Sequence, residues 1–514
     1  MNEALEATIP RGDAIPSGDT GIPSGDTIPV LPAQRELFGQ PRGLFILFFT
    51  EMWERFTYYG MRAILILFMV DSVAGLGIDD RTASSIYGLY LGVGYLLSLL
   101  GGYIADRLIG QQRAVLCGGV LITIGNATLI SGTPQIFFLG LLINVFGVGL
   151  LKPNISAIVA QLYPEGGSRR DAGFSIFYMG INTGSFLGSL LVPLFAARFG
   201  WHWGFSLPAV GMLLGVVQFL RTRHHLGTAG LEMAPDAKRG SWPPVVLFFA
   251  VIAVVAALAM TGTIRPDANL LSAATSWLIV VLAFAYFTYL IFFAGLTREE
   301  RSRAYVLIAL FIGCAIFFAG YEQMGASFNL FAARYTERHL FGWEVPAGVL
   351  QAVNPLFIII FAPVLAALWL FLGRHNRDLS APAKFGAGLI FLGLGFLVMY
   401  AAAGYVLAGQ KVAMTWLVLT YLLHTWGELC LSPVGLSSMT KLVPTRFVGQ
   451  VLGVWFMATA LGTNLAGHLS GDYDAGNLES LPALFLKIFW WGAIGGGLML
   501  LLTPWLKRLM PGVK

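Results

Sequence analysis

The feature that most constrains this chain is a series of fourteen apolar stretches, each long enough to cross a lipid bilayer. Inside lipid a backbone satisfies its polar groups only as a helix or a closed barrel, and about 20 apolar residues in a row favour the helix. Only 11% of the residues are charged and 56% are hydrophobic, so the apolar excess must face lipid. We therefore predict an all-α membrane protein with spans near residues 43–70, 82–107, 113–132, 134–162, 172–197, 203–221, 243–262, 269–295, 303–332, 345–372, 382–408, 413–440, 446–470 and 482–507.

The distribution of basic residues predicts the orientation. With the N-terminus inside, the inner loops hold nineteen Lys and Arg residues and the outer loops hold six. Short cytoplasmic loops carry such an excess. An even number of spans then places both termini in the cytoplasm of a multi-pass protein of the cytoplasmic (inner) membrane. The net charge of +5 reads as an orientation signal, and we expect no nucleic-acid partner.

A polar loop around His224 and His225, followed by two uncharged spans, indicates an insertion between two six-helix halves. The predicted parts are a polar N-terminal tail (1–41), an N-terminal six-helix bundle (42–224), a linker with two extra helices (225–299), a C-terminal six-helix bundle (300–509) and a C-terminal tail (510–514). The N-terminal tail contains the near-repeat Ile15–Thr20 and Ile22–Thr27, and its composition is typical of a linker. A second hypothesis is that it folds over the cytoplasmic face.

The first span carries polar residues along one helical face. Their offsets of 0, 3, 4, 7, 8 and 11 fit a period of 3.6 residues, and at 1.5 Å per residue the stripe is about 16 Å long. An ionised group at the bilayer centre costs at least about 2.5 kcal/mol, so such groups are functional candidates. Holding helices together is the alternative, but it does not need this many polar groups. This charged stripe consists of Glu51, Glu54, Arg55, Tyr58, Tyr59 and Arg62.

Charged residues deep in the other spans are few: Lys152 in the fourth, Glu322 in the ninth and Glu428 in the twelfth. With the charged stripe they make four acids and three bases. Each base can pair with a carboxylate, which leaves one carboxylate over. A carboxylate without a partner in a low-dielectric interior tends to hold a proton near neutral pH. Such a set suits a carrier driven by protons, although coupled groups do not reveal which acid titrates.

Several motifs carry a family resemblance. Residues 51–60, EMWERFTYYG, resemble the ExxERFxYYG signature of the proton-dependent oligopeptide transporters (the POT/PTR family), which belong to the major facilitator superfamily. Five further segments are similar to the family or superfamily at the corresponding spans: 101–113 (GGYIADRLIGQQR), 151–155 (LKPNI), 174–184 (FSIFYMGINTG), 354–357 (NPLF) and 427–437 (GELCLSPVGLS). The resemblance covers roughly residues 43–508, and the two extra helices resemble prokaryotic members.

The resemblance implies the major facilitator fold, with two six-helix bundles plus two extra helices between them. It implies proton-coupled symport of di- and tripeptides by alternating access, without enzymatic activity and without a cofactor other than the coupling proton. We also expect a functional monomer whose partners are the peptide, protons and the bilayer.

The resemblance also implies roles for individual residues. A peptide is a zwitterion, so cations suit its carboxylate, an acid suits its amine and amides suit its backbone. The substrate-binding residues would be Arg55, Tyr59, Arg62, Tyr95, Lys152, Asn182, Asn354, Glu428 and Trp455. The proton-coupling residues would be Glu51, Glu54 and Glu322. The gating residues would be Arg62, Glu322 and Asp106, with Glu322 pairing to Arg62 when the two halves close on the outside.

Plainer explanations stay open for some of these positions. Trp455 and Tyr95 could be packing residues, Asn354 could adjust the helix beside Pro355, and Asp106 could be an ordinary loop charge.

The sequence departs from the family at two positions. Animal members have a histidine where this chain has Gly88, and the family often has tryptophan where this chain has Phe318. Proton coupling would then rest on carboxylates alone.

Two competing functions are less well supported. The same fold could move nitrate or an organic acid, but an amine-binding acid such as Glu428 would be wasted on nitrate. For a membrane enzyme or receptor, we find no catalytic triad, zinc motif or phosphate loop in the sequence. His424 is a lone membrane histidine, Cys117, Cys314 and Cys430 have unrelated spacings, and we expect no metal site.

Overall fold

A computed structural model describes residues 36–131, 133–163, 167–231, 240–375, 377, 379–444, 447–472 and 478–510. The N-terminal repeat, and with it the hypothesis that the tail covers the cytoplasmic face, lies outside these residues. The described chain is almost entirely helical, as predicted.

Fourteen long helices and one short helix occupy the described residues. They are α1 (Arg42–Val70), α2 (Asp80–Ile104), α3 (Gln111–Leu129), α4 (Pro134–Gln161), α5 (Gly167–Phe199), α6 (Trp201–Thr222), α7 (Trp242–Met260), α8 (Ala268–Phe292), α9 (Arg298–Tyr321), the short α10 (Ser327–Tyr335), α11 (Val353–Arg374), α12 (Ala381–Leu407), α13 (Thr415–Lys441), α14 (Val448–Ser470) and α15 (Ser480–Arg508).

Short helical turns and strands join some of these helices. A π-helical turn (Ala105–Ile109) follows α2, and 3₁₀ turns occur at Arg223–Leu226, Glu322–Gly325 and Ala347–Ala352. Three pairs of two-residue strands are β1 (Glu36–Leu37) with β2 (Gln40–Pro41), β3 (Thr336–Glu337) with β6 (Val412–Ala413), and β4 (His339–Leu340) with β5 (Trp343–Glu344). The β3–β6 pair is parallel and the other two are antiparallel.

Among the described residues, eleven helices are long and apolar enough to cross a membrane by length and composition alone. The remaining long helices are α1, α3 and α13. Helix α1 contains the charged stripe, so its low hydropathy follows from the residues that make it a candidate site. The predicted spans agree with the long helices to within a few residues, except that the ninth span is broken.

Side-chain caps fix where several helices begin. Asp79 accepts a hydrogen bond from the backbone N–H of Thr82 at the start of α2, and Asp267 caps α8 in the same way. Thr297 and Glu300 form a reciprocal capping box at the start of α9. These caps satisfy backbone donors that the first helical turn leaves unpaired.

The helices pack as two six-helix bundles with two extra helices between them. In the N-terminal bundle α1 packs along α5 and α6, and α4 packs along α2 and α3. In the C-terminal bundle α12 packs along α13 and α15, and α14 packs along α9. The main contacts between the bundles run from α2 to α14 and from α5 to α11. The residue boundaries of the predicted domains stay a prediction.

The ninth span is interrupted at Glu322. Helix α9 ends at Tyr321, the 3₁₀ turn follows, and Ala326 has φ −117° and ψ −101° before α10 begins. At Gly325 a Cβ atom would collide with the hydroxyl of Tyr87, so only glycine lets the turn pack against α2. The break therefore presents the Glu322 side chain at a non-helical segment facing the N-terminal bundle.

Helices α2 and α14 cross at glycines. A Cβ on Gly88 would lie 2.8 Å from the Cα and 3.0 Å from the backbone nitrogen of Gly467. Because both obstacles are backbone atoms, no side-chain rotation can relieve the clash. The histidine found here in animal family members would not fit this crossing.

We expect Gly88→Ala to destabilise the protein by about 1–3 kcal/mol, the usual cost of overpacking a close contact. Thermal unfolding in detergent would measure this as a lower midpoint. Gly102→Ala on the same helix is the matched control, because a Cβ there meets nothing within 4 Å. Equal midpoints for the two variants would contradict the close crossing.

Candidate functional site

The N-terminal part of the charged stripe is a buried cluster of one cation between two carboxylates. Arg55 Nε lies 3.0 Å from Glu51 Oε1, one helical turn away, and also contacts Glu54. All three residues are at least 95% buried. Helix periodicity brings Glu51 and Arg55 together at i and i+4. Within this cluster two negative charges compete for one guanidinium, so protonation of one carboxylate leaves the cation still paired.

The C-terminal part of the charged stripe contacts the C-terminal bundle. Arg62 Nη2 lies 2.9 Å from Glu322 Oε2, and both side chains are buried. Arg62 Nε also donates a hydrogen bond to the Tyr87 hydroxyl at 2.6 Å. The helix break at Glu322 thus places its carboxylate opposite α1, and Tyr87 on α2 holds the guanidinium from the other side.

Each cation of the site lies over an aromatic ring. The distances to the ring centroids are 5.3 Å for Arg55 over Tyr58 and 5.6 Å for Arg62 over Tyr59. Lys152 Nζ lies 3.7 Å from the centroid of Tyr95. Cation–π contacts of this kind stabilise a partly desolvated cation without neutralising it. Of the three cations, Arg55 and Arg62 are also paired with carboxylates, whereas Lys152 keeps its charge available for an anionic ligand.

A small cavity lies next to this part of the site. Its lining belongs to α1, α2 and α4 and consists of Tyr58, Tyr90, Leu91, Gly94, Tyr95, Val145, Val148 and Lys152. Tyr95 and Lys152 therefore border open space rather than solid packing.

The acid of α13 sits in a hydrogen-bonded network of the C-terminal bundle. The Tyr321 hydroxyl lies 2.6 Å from Glu428 Oε2 and 3.0 Å from Asn354 Oδ1. Asn354 Nδ2 donates to Thr425 Oγ1 at 3.0 Å. The Tyr321 ring stacks on Phe317, with an interplanar angle of 23°. These contacts orient Tyr321, and through it Glu428.

Two charged side chains of the predicted site have no ion partner in the part of the chain that the structure describes. Within the described residues, neither Lys152 nor Glu428 has an opposite charge within 4 Å. Both are half-buried rather than sealed in. We expected every buried base to find a carboxylate. Instead, two acids share Arg55. Among the described residues, Lys152 in the N-terminal bundle and Glu428 in the C-terminal bundle are therefore left without an ion partner.

The other predicted residues lie in three different settings. Asn182 is buried and donates to the backbone carbonyl of Tyr178 at 2.9 Å. Trp455 packs against Gly435 and the ring of Phe385, inside the C-terminal bundle. This packing favours the plainer explanation for Trp455 in this conformation.

Asp106 lies exposed in the π-helical turn that follows α2. It accepts a hydrogen bond from Gln111 Nε2 at 3.1 Å, and Gln111 in turn accepts one from Gln161. These contacts stay within the N-terminal bundle. The gating role of Asp106 stays a prediction.

Comparison with known proteins identifies the family. The model of the POT family matches residues 112–483. The peptide transporter YePEPT of Yersinia enterocolitica is 40% identical over 497 residues, covering 93% of this chain and 97% of that protein. A di-/tripeptide transporter of Lactococcus lactis is 33% identical, covering 94% of this chain and 99% of the relative. This chain belongs to the POT family.

Solved structures of POT transporters share the fold. A peptide transporter in complex with sulfate is 40% identical with a TM-score of 0.86, covering 93% of this chain and 98% of that chain. A POT transporter in complex with a thioalcohol-conjugated peptide is 35% identical with a TM-score of 0.85, covering 92% and 98%. The tetrameric PepTSo2 is 25% identical with a TM-score of 0.74, covering 91% and 99%. The predicted major facilitator fold is confirmed.

Two polar residues of this POT site were missed by sequence reasoning. Tyr321 holds Glu428, and Tyr87 holds Arg62. In the sequence, Tyr321 directly precedes the buried acid Glu322. Tyr87 lies eight residues before Tyr95, so Tyr87 and Tyr95 share one face of α2. These two positions could have been noticed in the sequence. Their hydrogen-bond partners could not, because Arg62 lies 25 residues from Tyr87 and Glu428 lies 107 residues from Tyr321.

Proposed function

We propose that this POT-family protein imports di- and tripeptides together with protons, by alternating access. The observation that carries the proposal is that, among the described residues, Lys152 on α4 and Glu428 on α13 have no ion partner. A zwitterionic peptide supplies the two missing charges, with its carboxylate toward Lys152 and its amine toward Glu428. The related peptide and di-/tripeptide transporters, and the conjugated peptide bound to a related structure, support this substrate class.

The remaining residues bind the parts that all small peptides share. Arg55 and Arg62 add positive potential beside the carboxylate end, and Asn182 and Asn354 offer amides to the peptide backbone. Tyr59 and Tyr95 form the aromatic walls, with Trp455 as a wall that lines the site in another conformation. Recognition of the ends and the backbone leaves side-chain identity loosely constrained.

Proton coupling rests on carboxylates that are tied to cations. Protonation of Glu51 or Glu54 weakens the hold on Arg55 and strengthens its pull on the peptide carboxylate. Protonation of Glu322 breaks the pair with Arg62, which joins the two bundles. Protonation of Glu322 therefore releases this contact between the bundles and opens the site outward. The proton is the coupling ion, and the proposal needs no other cofactor.

The cellular setting is part of the proposal. The bacterial relatives and the multi-pass fold support the cytoplasmic membrane. The excess of Lys and Arg in one set of loops supports the placement of both termini in the cytoplasm. We propose that one chain is sufficient for transport, because the site residues come from both bundles of a single chain. Uptake that scales linearly with protein density in liposomes reconstituted below one chain per vesicle would support a functional monomer.

The test is uptake of a labelled dipeptide into proteoliposomes, with and without an inward proton gradient. We expect accumulation above the external concentration only with the gradient, and competition by tripeptides but not by free amino acids or nitrate. Competition by nitrate with no effect of peptides would support the same fold moving an inorganic anion.

We expect Tyr321→Phe to raise the KM for a dipeptide by at least about tenfold, because a hydrogen bond to a charged group contributes about 1.5–3 kcal/mol. Initial uptake rates over a range of dipeptide concentrations would measure this. Tyr305→Phe is the matched control, since Tyr305 lies exposed near the start of the same helix. An unchanged KM in Tyr321→Phe would mean that this hydroxyl does not orient Glu428 for the substrate.

A further inference from the structure

The inserted helix α8 touches both bundles at once. It packs against α2 of the N-terminal bundle and against α14 of the C-terminal bundle, close to where these two helices cross. In contrast, α7 is almost entirely exposed along its membrane-spanning window. The two inserted helices are therefore not equivalent, and only α8 is placed to influence how the bundles meet.

The contact of α8 with α14 centres on Asn464. Its Nδ2 donates to the Ser272 carbonyl at 2.6 Å and to Ser276 Oγ at 2.7 Å, while Ser272 Oγ donates back to Asn464 Oδ1 at 2.9 Å. The Nε2 atom of His468, one turn further along α14, lies 3.1 Å from Ser272 Oγ. Asn464 and Ser272 are fully buried. Both ends of the amide are thus satisfied by α8.

The contact of α8 with α2 is a hydrogen bond near the start of both helices. Ser85 Oγ donates to Asn269 Oδ1 at 2.6 Å, and Ser85 is buried. Together Ser85, Asn269, Ser272, Ser276 and Asn464 form a polar link from α2 through α8 to α14, which we call the α8 clamp.

The α8 clamp lies at the same end of the molecule as the ion pairs that join the bundles. Asp80, at the first turn of α2, makes two contacts with Arg334 at 2.6 and 2.7 Å. Ser470, at the end of α14, donates to Gln323, the residue next to Glu322. The Gln323 amide in turn donates to the carbonyl of Ala466 at 3.0 Å. Helix α14 is therefore fixed to α8 on one side and to the Glu322 turn on the other.

We infer that α8 is a working part of the outer gate, in which Asn464 is a positioning residue and the α8 clamp stabilises the closed outer face. Separation of α2 from α14 on this side breaks the bond to Asn269 or the bonds to Asn464. These buried groups have no water to replace the lost partners inside the membrane. The inference rests on the proposed alternating access. It assigns to α8 a role in setting the balance between the outward-open and outward-closed states of the transporter.

Distance measurement between spin labels on the two outer loops tests this. Val73 and Phe341 are 94% and 100% exposed and belong to different bundles, so each can be replaced by a labelled cysteine. The exposed Cys117 is replaced by serine, and the buried Cys314 and Cys430 stay. For Asn269→Ala combined with Ser272→Ala, we expect the ratio of long to short distances to rise about three- to tenfold, as for the loss of a few interhelical hydrogen bonds.

Ser206→Ala is the matched control, because its hydroxyl bonds to Trp203 within its own helix. Ser85→Ala, a second variant that leaves α8 intact, should shift the distances in the same direction by a smaller factor. Arg334→Gln should also shift them, which shows that the labels report the closed face. An unchanged distance distribution in Ser85→Ala and in the double variant, with Arg334→Gln shifted, overturns the inference. The measurement needs neither peptide nor proton gradient, so it stands apart from the uptake assay of the proposed function.

Discussion

Glu322→Gln should abolish proton-driven accumulation of peptide while leaving exchange of internal for external peptide in place. The glutamine keeps the shape of the side chain but removes the charge that pairs with Arg62 across the two bundles. An outer contact that no longer depends on protonation cannot transmit the proton gradient to the movement of the bundles. Uptake into proteoliposomes with an imposed pH gradient, compared with counterflow without one, separates the two activities.

Glu299→Gln is the control for this variant, because Glu299 lies exposed in the first turn of the same helix. It should accumulate peptide like the unaltered protein. Full accumulation by Glu322→Gln at the expected pH dependence would remove Glu322 from the coupling mechanism. Loss of both accumulation and counterflow would instead show that the carboxylate is needed for the conformational cycle itself.

Glu428→Gln should raise the KM for a dipeptide by about 10- to 150-fold, the effect of losing a charge-assisted contact worth about 1.5–3 kcal/mol. The loss should be small for an N-acetylated dipeptide, which has no amine charge to bind. Lys152→Gln should show the mirror pattern, with a large loss for the free dipeptide and a small loss for its C-terminal amide. Competition of each ligand against a labelled dipeptide measures its apparent affinity. The free and the blocked peptide, each tested on both variants, compare the binding of the amine end with that of the carboxylate end.

Lys487→Gln provides a control, since Lys487 forms an exposed pair with Asp472 at the rim of the molecule. It should leave the apparent affinity for all three ligands unchanged. Equal losses for free and blocked peptides in Glu428→Gln would mean that this acid stabilises the site without meeting the amine. The orientation proposed for the peptide would then fail, even if transport itself is retained.

The fold was largely predictable because lipid leaves a chain few alternatives. Apolar stretches of about 20 residues define the spans, and the long helices match them closely. The break at Glu322 was not predicted although Gly320 and Gly325 flank it, because glycines are also common inside unbroken membrane helices. It depends on Tyr87 packing over Gly325, a contact between segments more than 200 residues apart.

The charges of the site were predictable and their partners were less so. Glu51 and Arg55 follow from helical spacing alone, since both lie on α1. The pairing of Arg62 with Glu322 followed from the family resemblance and not from local spacing. The hydroxyl groups of Tyr87 and Tyr321 escaped notice because a tyrosine in an apolar span gives no local sign of whether it packs or binds. Trp455 packs against Phe385 in this structure, and its substrate-binding role stays a prediction.

The division of the charged stripe has a consequence for how the protein is made. Helix α1 is synthesised before the other described helices, and Arg55 has its counter-ions Glu51 and Glu54 on the same helix. Arg62 does not, because its carboxylate is Glu322, about 260 residues later in the chain. At a synthesis rate of about 5–20 residues per second, the Arg62 guanidinium waits roughly 13–50 seconds for its partner. During that interval its charge must be accommodated by the insertion machinery, by water or by the lipid headgroups.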